Sequence, residues 1–228
     1  MTAGFQLTKP GSGAVVIDQN YANLALRAKG SVATWDARSY FGYTGTVTVP
    51  GARSIIAFRC PVPTVLQWSE PSGDSTIHRF SSAQPATVDY WVFDDAQYGV
   101  VYDGTQALFQ VFKAGSTELA FDSRMRYMKF MGMILAGKDL VPGPYTYGGA
   151  KPALIQASHV FEEAADIVRP GPIPEWAFFL SGIYPSTSGS SVSFSAVSGA
   201  SGLSQSDPPS YYASAEQTAF TVIDVLNM

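Results

Sequence analysis

"FQLTKPGSGAVVIDQNYANLALRAKG", residues 5–30, and "FQVFKAGSTELAFDSRMRYMKFMGMI", residues 109–134, are one pattern written twice. With Phe5 set on Phe109, an offset of 104 residues (109 less 5), the stretches align without a gap. Phe5/Phe109, Gln6/Gln110, Lys9/Lys113, Gly11/Gly115, Ser12/Ser116 and Asp18/Asp122 are identical. Six identities in 26 positions compare with one or two expected at roughly 6% per position from ordinary residue usage. Apolar character is shared at Leu7/Val111, Val15/Leu119, Ile17/Phe121, Leu24/Met128 and Leu26/Phe130. The two stretches are read as one structural unit used twice.

Each copy runs strand, Gly-containing turn, strand, Asp, short corner, strand. An Asp just beyond a strand accepts hydrogen bonds from backbone N–H groups two or three residues on and closes an Asx turn into the next strand. Asp18 and Asp122 are therefore read as structural corners rather than catalysts, since no His or second acid stands near Asp18 in sequence. Removing either carboxylate is expected to leave donors unpaired at a cost of about 1–3 kcal/mol.

Working outward, the same grammar continues along the chain. "TGTVTVP" and "STIHRFS" alternate as half-buried strands do, and "SIIAFRC", "TVDYWVF" and "YMKFMGMI" are short, β-branched or aromatic, and bounded by turn residues. Composition agrees: of 228 residues 46% are hydrophobic and 14% charged, with Gly 21 and Pro 15, which favours strands and turns over salt-bridged helices. The expected fold is all-β and β-sandwich-like, in two β-rich halves, 1–97 and 98–228. One short helix is expected over "SHVFEEAAD", residues 158–166. Ser158 would cap it, Glu162 and Glu163 would lie near its N-terminus, and "VRPGPIP" would end it. The Ser/Gly-rich region 182–210 is expected to be mostly loop, with "SVSFSAV" a strand inside it. Cys60, the single cysteine, sits in "IIAFRCPV" and reads as a buried core residue without a disulfide.

Several function classes have little support. A net charge of -4 without a basic run gives no footprint for a phosphate backbone, so no nucleic-acid partner is expected. "FMGMILAG" and "WAFFLSGIY" are too short to cross a bilayer, so no membrane insertion is expected. "MTAGFQLTKPGSG" shows no secretory signal, and synthesis in a cytoplasm is expected. The two His, His78 and His159, lack HExxH or CxxC spacing, and Asp94, Asp95 and Asp103 lack the alternation of an EF-hand loop. No GxSxG elbow or phosphate loop appears, and "SGDS" at 72–75 has no partnered base nearby. The expectation is no enzyme, no cofactor and no metal. Trp91 reads as core, whereas Tyr211 and Tyr212, after "SDPPS", are the candidate receptor contacts.

"GFQLTKPGSGAVVIDQNYANLALRAKGSV" resembles the start of a group of tailed-bacteriophage tail proteins, which open with an apolar strand, a Gly turn, an IDxxYxNL-like segment and a KGxV-like end. "YGVVYDGTQALFQVFKAGSTELAFDSRMRYMKF" is similar to a second pattern of such proteins: YG, a strand, a Gly turn, then "FDS" and an aromatic near "RYMK". The resemblance implies a structural component of the distal tail (tail tip, baseplate or tail fibre) of a tailed bacteriophage, resident in the virion. It would contact other tail proteins and copies of itself, a trimer being favoured. The competing reading is a carbohydrate-binding module that recognises host surface polysaccharide or protein through the 182–212 region.

Overall fold

In "STIHRFSS" Thr76, His78, Phe80 and Ser82 are buried while Ser75, Ile77 and Arg79 are less so, as a pleated strand between core and solvent requires. The computed structural model describes residues 6–8, 15–18, 23–39, 42–102, 109–137, 141–158, 161–169, 175–200, 213–214 and 217–228. For 6–8, 15–18, 37–39, 161–169, 175–181, 199–200 and 213–214 it describes the backbone alone. Among the described residues the chain is nearly all strand, and its one helical element is the 3-10 turn Ala96–Tyr98.

Three antiparallel sheets and two hairpins make up the fold. The hairpins are β1 (Gln6–Thr8) with β2 (Val15–Asp18), and β10 (Gln110–Phe112) with β11 (Leu119–Asp122). The central sheet contains β3 (Leu24–Thr34), β6 (Ile55–Arg59), β9 (Ala86–Asp95), β12 (Phe130–Gly137), β14 (Pro152–Gln156) and β19 (Gln217–Asp224), in the order β12-β19-β14-β6-β9-β3. A second sheet, β4-β5-β8-β7, is built from β4 (Asp36–Ser39), β5 (Gly42–Pro50), β7 (Thr64–Ser72) and β8 (Ser75–Ser82). The third, β13-β17-β16-β15-β18, is built from β13 (Tyr145–Thr146), β15 (Phe161–Arg169), β16 (Glu175–Ser188), β17 (Ser191–Ala200) and β18 (Ala213–Ser214).

The core explains the layering. Ile56, Phe58, Val88, Val92, Leu154, Phe220 and Val222 of the central sheet pack with Val49 and Phe80 of the second sheet and with Ile183, Val192 and Phe194 of the third. One face of the central sheet is thus covered by both other sheets, which is a sandwich-like arrangement. Phe58 meets Phe80 edge-on with ring centroids 5.5 Å apart, and Phe194 meets Phe220 at 5.3 Å. Each such fully buried ring contributes about 1.5–3 kcal/mol. On the opposite face Leu26, Ala57, Trp91, Phe93, Ala153 and Ile223 form a second cluster under Tyr102 and Met128. Cys60 is buried as expected, and Thr187 clamps it: the Cys60 N–H donates to Thr187 Oγ1 (3.0 Å) and the Thr187 N–H to the Cys60 carbonyl (2.7 Å).

Two expectations are corrected. The helix expected over 158–166 is overturned within its described residues: β15 covers Phe161–Arg169 and pairs with β16 along its length, from Phe161↔Gly182 to Arg169↔Glu175. A nine-residue segment is too short to hold a helix on its own, so the ladder to β16 outweighs the capping signals. The region 182–210 is not mostly loop either, since β16 and β17 run through it as a long hairpin as far as Ala200, with register to Ser188↔Ser191. Gly189, at φ +54°, supplies the left-handed residue of its tight turn. Ile183 and Tyr184 on one strand and Val192 and Phe194 on the other are buried, so the Ser and Gly between them occupy the thinner positions of real strands. The division near residue 97 falls at the 3-10 turn, but the central sheet draws β3, β6 and β9 from before it and β12, β14 and β19 from after it.

Candidate functional site

The repeated unit is visible in the backbone. Gln6 pairs with Asp18, Leu7 with Ile17 and Thr8 with Val15. Gln110 pairs with Asp122, Val111 with Phe121 and Phe112 with Leu119, and both hairpins shift register at the same step. Every pair in one copy is the other displaced by 104 residues (110 less 6). The identities now have places. Gln and Asp are cross-strand partners in both copies. In the second copy Lys113, Gly115 and Ser116 form the turn, where Gly115 has φ +70° and Ser116 Oγ accepts the Glu118 N–H at 2.8 Å.

Asp122 is fully buried, and its two oxygens are saturated. Oδ1 accepts the Arg124 backbone N–H (2.9 Å) and Nε (3.0 Å); Oδ2 accepts Arg124 Nη2 (2.7 Å) and Gln110 Nε2 (2.7 Å). The first of these closes an Asx turn; the fork from Arg124 adds a charge-assisted, bidentate pair. The Arg124 side chain, helped by its N–H and by Gln110, holds the carboxyl well below the usual range against the opposing pull of burial. Tyr127 completes the corner: its hydroxyl accepts the Asp122 N–H at 2.6 Å, its ring stacks on Phe121 at 4.7 Å, and burial pushes its phenol up to about 12. Both carboxylate oxygens of Asp122 are engaged by these neighbours, so the arrangement braces the corner. Asp18 ends β2 at the equivalent point, but its side chain lies outside the described residues.

The copies also meet. Leu24 and Met128 hold the same position of the unit, and the Met128 N–H donates to the Leu24 carbonyl (2.9 Å) while the Leu26 N–H donates to the Arg126 carbonyl (2.7 Å), around an antiparallel bridge Ala25↔Tyr127. Equivalent residues facing one another in antiparallel sense is the relation a local two-fold produces. The third strands then diverge: β3 becomes one edge of the central sheet and β12 the other.

Among the described residues, strand β12 carries three strongly exposed large apolar side chains. Ile134 and Ala136 point into the core, but Phe130, Met133 and Leu135 are 62%, 63% and 64% exposed. "FMGMILAG" carries no charge, and its outer side has no strand partner among the described residues. Charged or proline residues ordinarily blunt such an edge. The signal was present in the sequence as an uncharged apolar run, but nothing there shows which residues face outward.

The remaining candidates are placed as follows. Tyr211, Tyr212, His159 and Asp103 lie outside the described residues. His78 is buried on β8, its Nδ1 2.8 Å from Ser69 Oγ and its Nε2 without a partner among the described residues, and burial pushes it down to about 4. Trp91 is core at 5% exposure, with Lys151 over its ring. Asp94 is paired with Arg27, and Asp95 faces Lys113 at 3.6 Å. Among the described residues there is no metal-binding cluster and no helix long and apolar enough to cross a membrane. No protein-family profile, curated protein or solved structure matches the chain.

Proposed function

We propose that the chain is a non-catalytic structural component of the distal tail of a tailed bacteriophage, held in place by other tail proteins and by copies of itself. The bare β12 edge carries this reading: Phe130, Met133 and Leu135 stand in water on an uncharged strand, a surface that exposed monomers avoid and assembled subunits bury. The resemblance of residues 4–32 and 98–130 to tail proteins supplies the kind of assembly. The test is quantitative mass spectrometry of purified phage particles together with immunogold labelling. Several copies per particle at the end of the tail distal to the head are expected; absence from particles would sink the reading.

A second reading, recognition of a host surface saccharide, draws on a cleft beside the 3-10 turn. It gains weight if the isolated chain binds intact host cells and free surface polysaccharide competes. Reproducible cleavage of that polysaccharide, abolished by mutating one acid, would replace both readings with an enzyme.

A further inference from the structure

Tyr211 and Tyr212, the receptor contacts expected from the sequence, lie outside the described residues, so a saccharide site among the described residues must be sought elsewhere. The described residues also form a cleft. It is open, about 690 Å³ in volume, and lies where the start of β3, the end of β9, the 3-10 turn and the loops around Gly51 and Asp74 converge. That volume falls within the about 300–1,000 Å³ typical of small-ligand sites.

Its inner wall is a fixed ion pair. A register shift between Leu26 and Ala28 leaves Arg27 as the extra residue of a β-bulge, which re-aims its side chain. Arg27 Nη1 donates to Asp94 Oδ2 at 2.6 Å, and Asp94 Oδ1 accepts the Asp95 N–H at 2.8 Å. The guanidinium also lies 4.8 Å from the Tyr98 ring centroid. Arg27 uses one Nη on Asp94 and sits over the Tyr98 ring, and its other N–H donors have no acceptor among the described residues. Gly51 shows how closely the wall is fitted: at φ +100°, a Cβ there would stand 2.6 Å from Asp94 Oδ2 and 3.0 Å from Arg27 Nη1. Only glycine lets the backbone approach the pair so nearly.

Around the pair the cleft mixes donors, acceptors and an aromatic. Tyr98 is 51% exposed, with its ring held by Arg27. Arg53 and Asp74 line the rim, are exposed, and have no ion-pair partner among the described residues. Gln97 adds a neutral amide; Leu24 and Ile55 add apolar wall. A polyanion would meet Asp74, Asp94 and Asp95; a cation would meet Arg27 and Arg53. A neutral ring bearing neighbouring hydroxyls can use both sets, because each hydroxyl donates and accepts, while its C–H face lies on the aromatic and apolar wall.

We propose that this cleft is a binding site for a neutral hexopyranose, with Tyr98 as the stacking platform, Asp74 and Arg53 as rim contacts to hydroxyls, and the Arg27–Asp94 pair as the fixed floor. The proposal rests on the saccharide-recognition reading and is independent of residence in a tail.

The test is saturation-transfer-difference NMR on the full chain with the methyl glycosides of glucose, galactose and mannose as probes, and glucuronic acid as the charged comparison. Transfer to at least one neutral hexoside is expected, with at least tenfold weaker binding in Tyr98→Ala and in Asp74→Asn, and near-unchanged binding in Tyr98→Phe. Asp74 is exposed, so Asp74→Asn should keep the parent thermal midpoint; Tyr98→Ala gives up the contact with Arg27 and is read beside its own midpoint, and Tyr98→Phe keeps the ring. No transfer to any hexoside overturns the proposal, as does transfer indifferent to Tyr98→Ala or stronger for glucuronic acid. If cells still bind the chain while Tyr98→Ala has no effect, recognition survives elsewhere and only the cleft assignment falls.

Discussion

Strand β3 leaves the first copy of the repeated unit and forms one edge of the central sheet; β12 leaves the second copy and forms the other. On β3 the edge is closed. A bulge at Arg27 breaks the ladder, Lys29 is exposed with its ammonium 5.8 Å from the Tyr102 ring, and residues 126–128 bridge the first turn of the strand. β12 has the matching bulge at Met131, but from Gly132 to Gly137 it has no charged side chain and no bridging segment among the described residues, and Met133 and Leu135 project into solvent. One unit, used twice, thus yields a defended edge and an open one. Two open edges of a twisted sheet invite indefinite strand addition, whereas a single open edge is used up once it pairs.

The largest effect should come from the corners the copies share. Asp122→Ala removes four hydrogen bonds to a buried carboxylate and takes from the Arg124 fork and the Gln110 amide the acceptor they share. The expected loss is about 3–4 kcal/mol, read as a shift of the urea midpoint. Asp18→Ala should cost the same within about 1 kcal/mol if the copies are equivalent in side chain as well as backbone. A silent Asp18→Ala would confine the equivalence to the register. Because the folded Asp122 carboxyl is held below its ordinary value of 3.8, its contribution is fully present above that value and fades as pH falls below it.

His78 must be separated from that acid limb. Burial lowers its folded pKa from 6.5 to about 4, so the unfolded chain binds the extra proton between those values. Stability is intact above pH 6.5 and is lost as pH falls toward 4, by about 3 kcal/mol in all. His78→Gln should flatten the stability profile across that window while leaving the steeper fall below pH 4, where Asp122 titrates. An unchanged slope between pH 6.5 and 4 would mean that His78 is solvated and that the buried orphan Nε2 has water beside it.

What was legible in the chain follows the range of the forces involved. Alternation in β5 and β8 and the Gln–Lys–Gly–Ser–Asp identities of the repeat are local, and they led to strands and to the strand–turn–strand unit, to which the structure adds the same register shift in both copies. The segment 161–169 misled because Ser158, Glu162 and Glu163 are helix-start residues, while the partner that makes it a strand, β16, begins at Glu175. In 182–200, counting Ser and Gly hid the buried Ile183, Tyr184, Val192 and Phe194. The cleft was invisible for a different reason. Arg27 and Asp94 are 67 residues apart, and neither belongs to a motif; only the pairing of β3 with β9 brings them together.

The open edge is tested by charge. Met133→Lys with Leu135→Lys alters only exposed positions, so stability should change by about 0.5 kcal/mol or less per site, whereas self-association and incorporation into tails should fall at least tenfold by analytical ultracentrifugation and particle composition. Full association of the double variant would show that β12 is not the assembly edge.

The smallest effect belongs to the closed edge. Lys29→Leu removes the charge that faces solvent on β3 and the ammonium over Tyr102, at a cost of about 0.5–1 kcal/mol for the lost cation–π contact. If the bulge and the 126–128 bridge close that edge, the variant should associate no more strongly than the parent, because the backbone groups a new strand would need from Leu24 and Leu26 are already taken by Met128 and Arg126. Charge would then be a secondary guard. A rise in association for Lys29→Leu, suppressed again by Lys29→Glu, would show instead that the lysine alone kept β3 single. The contrast between the edges would then come down to one side chain, not to the meeting of the two copies.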